Sequence, residues 1–403
     1  MRGAMTGVIT ILTLCLVYGP GLAQTGGKSP TPCIMFRGAC DVPALESVHM
    51  VDAQTGWALT YGGADALLRT TDGGTHWTDV TPVGSTGKKV DPWRITALSS
   101  LSVWVMPSGP VGSTTTEVLR TVDGGRTWGS AAIKAPLVES VFFINPREGW
   151  LTAFLGAAMG RQDVEIYRST DGGESWIKVA ETGTASELPL YGSKDNITFL
   201  NATTGWIVVS GIQGSLLYVT HDGGRTWREQ TLPLLPSPQG QQNPPLPPEV
   251  KSRWVASPWQ PKFFTARDGI MRADYTHYLL NESTGDQQIT AAVYVYYATY
   301  DGGTTWAYTT PVPIRHTDDR RQSSGSFADM NHGWVRVGDL LYVTTDGGRG
   351  WTSIRPSSNF VDVKQIDFIS PQVGWAVSKI SPYLLKTQDG GRTWMPVNYA
   401  ISR

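Results

Sequence analysis

Seven aspartates stand in nearly one setting, and a carboxylate repeated so closely could be a general base, a nucleophile or a metal ligand. They are Asp72, Asp123, Asp171, Asp222, Asp301, Asp346 and Asp389, each inside Ser/Thr-x-Asp-Gly-Gly. Five residues after each comes a tryptophan: Trp77, Trp128, Trp176, Trp227, Trp306, Trp351 and Trp394. Seven symmetric copies cannot all serve one reaction centre, so the spacing predicts a structural duty. The hydroxyl residue and the aspartate can accept hydrogen bonds from the unpaired N–H groups of a tight turn. The two glycines permit positive φ without steric cost.

Function is then sought in residues that the repeats leave over. Trp93 and Arg94 lie in "DPWRIT", while Trp254 and Trp259 lie in "KSRWVASPWQP" beside Lys251, Arg253 and Lys262. Exposed aromatics next to cations suit a protein groove or the face of a sugar ring; the alternative is a solvated linker whose tryptophans lie flat on the scaffold. A second group is Arg315, His316, Asp318, Asp319, Arg320 and Arg321 in "PIRHTDDRRQSSG". Its two acids could supply a general acid and base, but glycosidase carboxyls need about 5 to 9.5 Å between them, and adjacent loop residues have no enforced separation. A self-neutralising solvated loop is the simpler expectation.

The elements that position these residues follow from the intervals between the aspartates, which are 51, 48, 51, 79, 45 and 43 residues. Such a period marks a blade array. Each aspartate turn joins an alternating run such as "LLYVTH" to one opening at the tryptophan, such as "TWREQ", which predicts a β-hairpin. Gly-Trp pairs ending at Trp57, Trp150, Trp206, Trp334 and Trp375 mark the other half of each repeat, with Trp104 and Ile270 in that place in the two remaining ones. Four short strands per unit and seven units over about residues 44–400 predict an all-β, seven-bladed propeller, because radial closure leaves only short protected edges. Which strand closes the ring is not legible. The 79-residue interval holds an insertion at about 231–262 that is too rich in proline for a central strand.

Forty-five glycines, sixteen tryptophans and only 17% charged residues fit this turn-rich scheme. The balance of 33 basic and 34 acidic residues predicts no nucleic-acid or anionic-membrane partner. Residues 1–23 read as a secretory signal, with Arg2, the apolar run "VITILTLCLVYG" and small residues ending at Ala23. The run is too short to anchor a mature chain in a bilayer. In the leader, residues 24–43, Cys33 and Cys40 form an even pair in an exported chain. A disulfide closing that loop would contribute about 2–3 kcal/mol; two free thiols are the alternative. The histidines show no zinc spacing, and neither a nucleophile elbow, a phosphate loop nor a calcium loop is present. No metal and no cofactor is expected.

The seven turns resemble Asp-box (bacterial neuraminidase, BNR) repeats. With the Gly-Trp pairs in an exported chain, they are most similar to the photosystem II stability and assembly factor-like propellers, a resemblance that covers nearly all of the chain past residue 44. It implies a propeller with a protein-docking surface rich in arginine, whereas this chain carries near-neutral charge. Asp-box sialidases require three arginines, a Glu-activated tyrosine and an early Arg-Ile-Pro; here the nearest strings are "WRIT" at Arg94 and "MFRGA" at Arg37. His76 and Gly350 replace the usual Thr/Ser before tryptophan, which predicts looser turns there. The expectation is a monomeric, non-enzymatic exported propeller that binds or helps assemble another protein at the cell envelope or outside it. The alternative is a carbohydrate-binding or glycan-cleaving, sialidase-like propeller.

Overall fold

The computed structural model describes residues 43–402 apart from 62–64, 110–111, 195, 212–213, 236–249, 282, 315–323 and 379–382. It is a seven-bladed β-propeller: seven sheets follow one another along the chain, with no α-helix among the described residues. The secretory signal, the leader up to residue 42 and the Cys33–Cys40 pair lie outside the described residues, as do Arg315, His316, Asp318 and Asp319. Each blade is antiparallel and runs outward in sequence order, as in blade one with Ala44–Met50, Gly56–Tyr61, Leu67–Thr70 and His76–Asp79. The second strand of a blade is covered on both faces by its neighbours, so it reads as a continuous apolar run; Gly149–Ala158 begins with five buried residues. The fourth strand is the outer edge and is polar, as at Arg228–Glu229.

All seven aspartate turns close in the same way. In blade one Thr70 Oγ1 donates to Asp72 Oδ1 at 2.9 Å and accepts from the Gly74 N–H at 3.0 Å. The same carboxylate accepts from the N–H groups of Thr75 and His76. Gly73 and Gly74 sit at φ +78° and +97°, where a side chain is strained. The turn carrying His76 is not looser than the rest: its imidazole Nδ1 lies 2.6 Å from Asp72 Oδ2, in the place that the Thr127 hydroxyl takes against Asp123. Gly350 has no side chain to offer, and only its N–H reaches Asp346, at 2.9 Å. These bonds stabilise the charged form and hold all seven carboxyls below the usual range.

The Gly-Trp pairs explain how blades meet. Phe143, ending the first strand of blade three, lies over Gly149, where an added Cβ would come within 2.6 Å of the ring. Phe143 thereby reaches back to Trp104 of blade two, stacked at 3.7 Å and 10°. Trp150 stacks on Phe199 and Trp334 on Phe368 in the same manner. The indole N–H then donates to the carbonyl of the first turn glycine one blade on: Trp104 to Gly172, Trp150 to Gly223, Trp334 to Gly390 and Trp375 to Gly73. Each such tryptophan fills the interblade core and caps its neighbour's turn.

Ring closure joins the four N-terminal strands of blade one to blade seven, the last in the chain. The side chain of Gln365 binds both backbone groups of Val48, and Asp367 accepts from the Met50 N–H at 2.8 Å. Ala400–Ser402 adds a fifth strand to blade one, parallel to its outer strand. Tyr399 donates to the Pro43 carbonyl and packs with Ile401 on the blade-one core. A chain ending at Val397 is therefore expected to lose about 2–4 kcal/mol, read as an earlier midpoint in guanidinium, from buried apolar area and a lost edge strand.

Blade five departs from the others. Its second and third strands, Gly269–Asn281 and Gln287–Thr299, each run 13 residues and extend past the four-strand frame. The end of the insertion is a strand, Val250–Pro258, paired along the far half of Gly269–Asn281. The long irregular loop expected over 231–262 is thus partly regular structure, an edge strand on the first-strand side of the blade whose one proline, Pro258, stands at its end. The start of the insertion is pinned as well: Tyr297 donates to the Pro233 carbonyl at 2.6 Å and bonds Tyr275, while Leu232 and Leu235 pack on the core between blades four and five.

Candidate functional site

The first strands of all seven blades surround an axial cavity of about 1010 Å³. These strands diverge too far to pair through backbone, so side chains bridge them. Thr96 donates to the Val141 carbonyl and Arg94 to the Glu139 carbonyl; Ser324 and Ser326 accept from the Ile366 and Phe368 N–H groups; Lys262 donates to the Phe327 carbonyl at 2.8 Å. Much of the polar lining therefore has a structural duty. Lys262 opens onto cavity water yet is walled in by protein, so lost hydration lowers its ammonium pKa, with Asp367 opposing the shift.

Two groups in the wall do more than bridge. Trp259, 48% exposed, lines the cavity just ahead of the first strand of blade five. Its backbone N–H donates to the Arg272 carbonyl at 2.8 Å, and the Arg272 guanidinium lies 5.2 Å from its ring. Arg272 also lies 4.1 Å from the Tyr294 ring and forms a bidentate pair with Asp274. Burial works against the Arg272 charge and Asp274 outweighs it.

The other group spans blades two to four. Arg94, Glu139 and Asn196 all line the cavity. Glu139 Oε1 accepts from Gln162 Nε2 at 2.9 Å, and Gln162 Oε1 accepts from the Lys194 N–H at 2.5 Å. Lys194 is fully buried, and the three N–H donors of its ammonium are shared among the carbonyls of Gln162, Leu190, Tyr191 and Gly192, at 2.9–3.2 Å. Burial pulls its pKa down to about 8, and Asp163 opposes this. The carboxylate of Glu139 is thus oriented by a chain of contacts reaching into the core.

Of the residues singled out from sequence, the structure brings Arg94 and Trp259 to one cavity. Trp93, 41% exposed, lies beside it with its ring 4.3 Å from the Arg94 guanidinium. Trp254 does not belong: it is half-buried on the blade-five outgrowth, 5.0 Å from the His277 ring and packed on the core between blades four and five. Its contacts are those of a packing residue. Glu139, Asn196, Gln162, Lys194 and Arg272 escaped sequence reasoning, since none lies in a repeated motif and the strands that carry them are far apart in the chain.

Among the described residues, the carboxyls of the seven aspartate turns and of Asp52, Asp79, Asp163 and Asp329 are displaced downward, by hydrogen bonds within turns or from neighbouring side chains. Among the described residues no group of three or more His, Cys, Asp or Glu could hold a metal ion.

No family model and no curated protein matches the chain. Solved structures that it resembles include an ancestral GH74 enzyme (13% identity, TM-score 0.38, covering 87% of this chain) and an ulvan lyase of polysaccharide lyase family PL25 (11%, 0.34, 73%). An uncharacterized protein of Listeria monocytogenes aligns at 9% identity and TM-score 0.48 over 90% of this chain and 96% of its own. The chain spans 56% of the length of the GH74 enzyme and 91% of that of the lyase. With TM-scores below 0.5, these likenesses carry nothing about ligand or chemistry.

Proposed function

We propose that this chain is an exported Asp-box propeller that binds carbohydrate in its axial cavity without cleaving it. The observation that carries the reading is the half-exposed ring of Trp259 in the cavity wall, with the planar polar groups of Arg94, Glu139 and Asn196 in the same lining. Sugar rings present a C–H face that stacks on an aromatic and pairs of hydroxyls that planar side chains bracket. The seven aspartate turns support the Asp-box assignment, and the apolar start of the chain supports export. The test is a glycan panel on the mature chain, scored for binding and for released product. Saturable binding, no product and loss of binding in Trp259→Ala are expected; turnover would sink the non-catalytic half, and a flat panel the whole reading.

A protein-binding or assembly scaffold, like the photosystem II factor-like propellers that the sequence resembles, is the second reading. It is favoured by the blade-five outgrowth, which extends past the frame that the other blades share. A glycan-silent protein that cross-links to one envelope partner, and ceases to when residues 278–291 are replaced by a short turn, would establish it.

A further inference from the structure

Among the described residues, the fixed charges around the axial cavity balance. Arg272 is neutralised by its bidentate contact with Asp274. Arg94 and Lys262 then stand against Glu139 and Asp367, one from each of blades two, five, three and seven. The cations donate to backbone carbonyls, and the acids accept from an amide side chain and a backbone N–H. An anionic ligand entering this ring would gain from two cations and lose to two carboxylates, all in one site that stands partly open to solvent.

A neutral polyhydroxyl ligand meets no such opposition. Each sugar hydroxyl both donates and accepts, so it can use a carboxylate and a guanidinium side by side, and charge-assisted hydrogen bonds are the strong ones. We infer that the axial cavity selects uncharged oligosaccharides over uronate-containing ones, with Trp259 as the stacking platform and Arg94, Glu139 and Asn196 as the hydroxyl-reading wall. This rests on the carbohydrate reading above and narrows it to a chemical class. Glu139 is the specificity-determining member through Oε1, which Gln162 and Lys194 hold in place before any ligand arrives, while its Oε2 is buried in the wall.

The experiment is titration calorimetry of the mature chain with gluco-, xylo-, manno- and galacto-oligosaccharides of four units, and with tetragalacturonate, at low and at physiological salt. At least one neutral tetrasaccharide is expected to bind with an affinity that changes less than twofold with salt. Trp259→Ala and the isosteric Glu139→Gln are each expected to weaken it at least tenfold, with unfolding midpoints near the parent's. The exposed hairpin-tip variant Met159→Ala is expected to bind as the parent does. Preference for tetragalacturonate, weakening with salt, would overturn the inference and leave the carbohydrate reading standing. Silence toward every sugar would overturn both, and equal binding by Glu139→Gln would remove Glu139 from its assigned role.

Discussion

Replacing Trp150 by alanine is expected to lower the stability of the ring by about 3–5 kcal/mol, the range for a fully buried large aromatic. The residue has no exposed surface, stacks on Phe199 at 3.7 Å and 6°, and donates its indole N–H to the Gly223 carbonyl at 2.9 Å. Alanine removes the interblade wedge, leaves a cavity and strands a turn carbonyl, so packing and hydrogen-bond losses act together. Phenylalanine keeps most of the stack and loses the N–H, and an intermediate loss of about 1–3 kcal/mol is expected. Equilibrium unfolding in guanidinium reads both, and the discriminating feature is the order of the three midpoints. Equal midpoints for alanine and parent would show that blades three and four are held by something other than this contact.

Lys194→Met is expected to destabilise by about 3 kcal/mol at neutral pH, since four carbonyls lose their shared buried donor. The pH dependence gives a sharper readout. Below pH 8 Lys194 is charged in both the folded and the unfolded chain, so it adds no slope. Between about 8, where burial places its folded pKa, and the 10.5 of a free lysine, the unfolded chain holds a proton that the folded one has released. Stability from this group therefore rises with pH through that window, by about 3 kcal/mol in full at 1.36 kcal/mol per pKa unit. The difference in unfolding free energy between parent and Lys194→Met, measured from pH 7 to 10, cancels the titration of other groups. It is expected to widen with pH, and a flat difference would mean that Lys194 is not the group that burial discharges.

Hydrogen bonding of the seven turns was legible in the residues because it is local: Ser/Thr, Asp and two glycines carry every donor, acceptor and φ that the turn uses. Two local rules needed the structure to be read fully. The imidazole of His76 substitutes for a hydroxyl against Asp72, which residue type alone did not reveal. The glycine before the second-strand tryptophan answers to a side chain six residues back and directly across the sheet, a phenylalanine ring in blades three, four, six and seven and Met50 in blade one.

What the sequence by itself determined is the blade, its number and its order, since hairpin turns and alternating strands are set by neighbours within about ten residues and seven repeats admit one economical closure. Tertiary structure alone decided the site. Arg94, Glu139, Asn196 and Trp259 belong to four blades, and their convergence depends on strand direction and on which alternate side chain faces the axis, neither of which a motif records. It likewise separated Trp259 from Trp254, five residues apart in the chain: one ring lines the cavity, the other packs on the core between blades four and five, because the intervening strand pairs with the far half of its neighbour and carries Trp254 out along the blade.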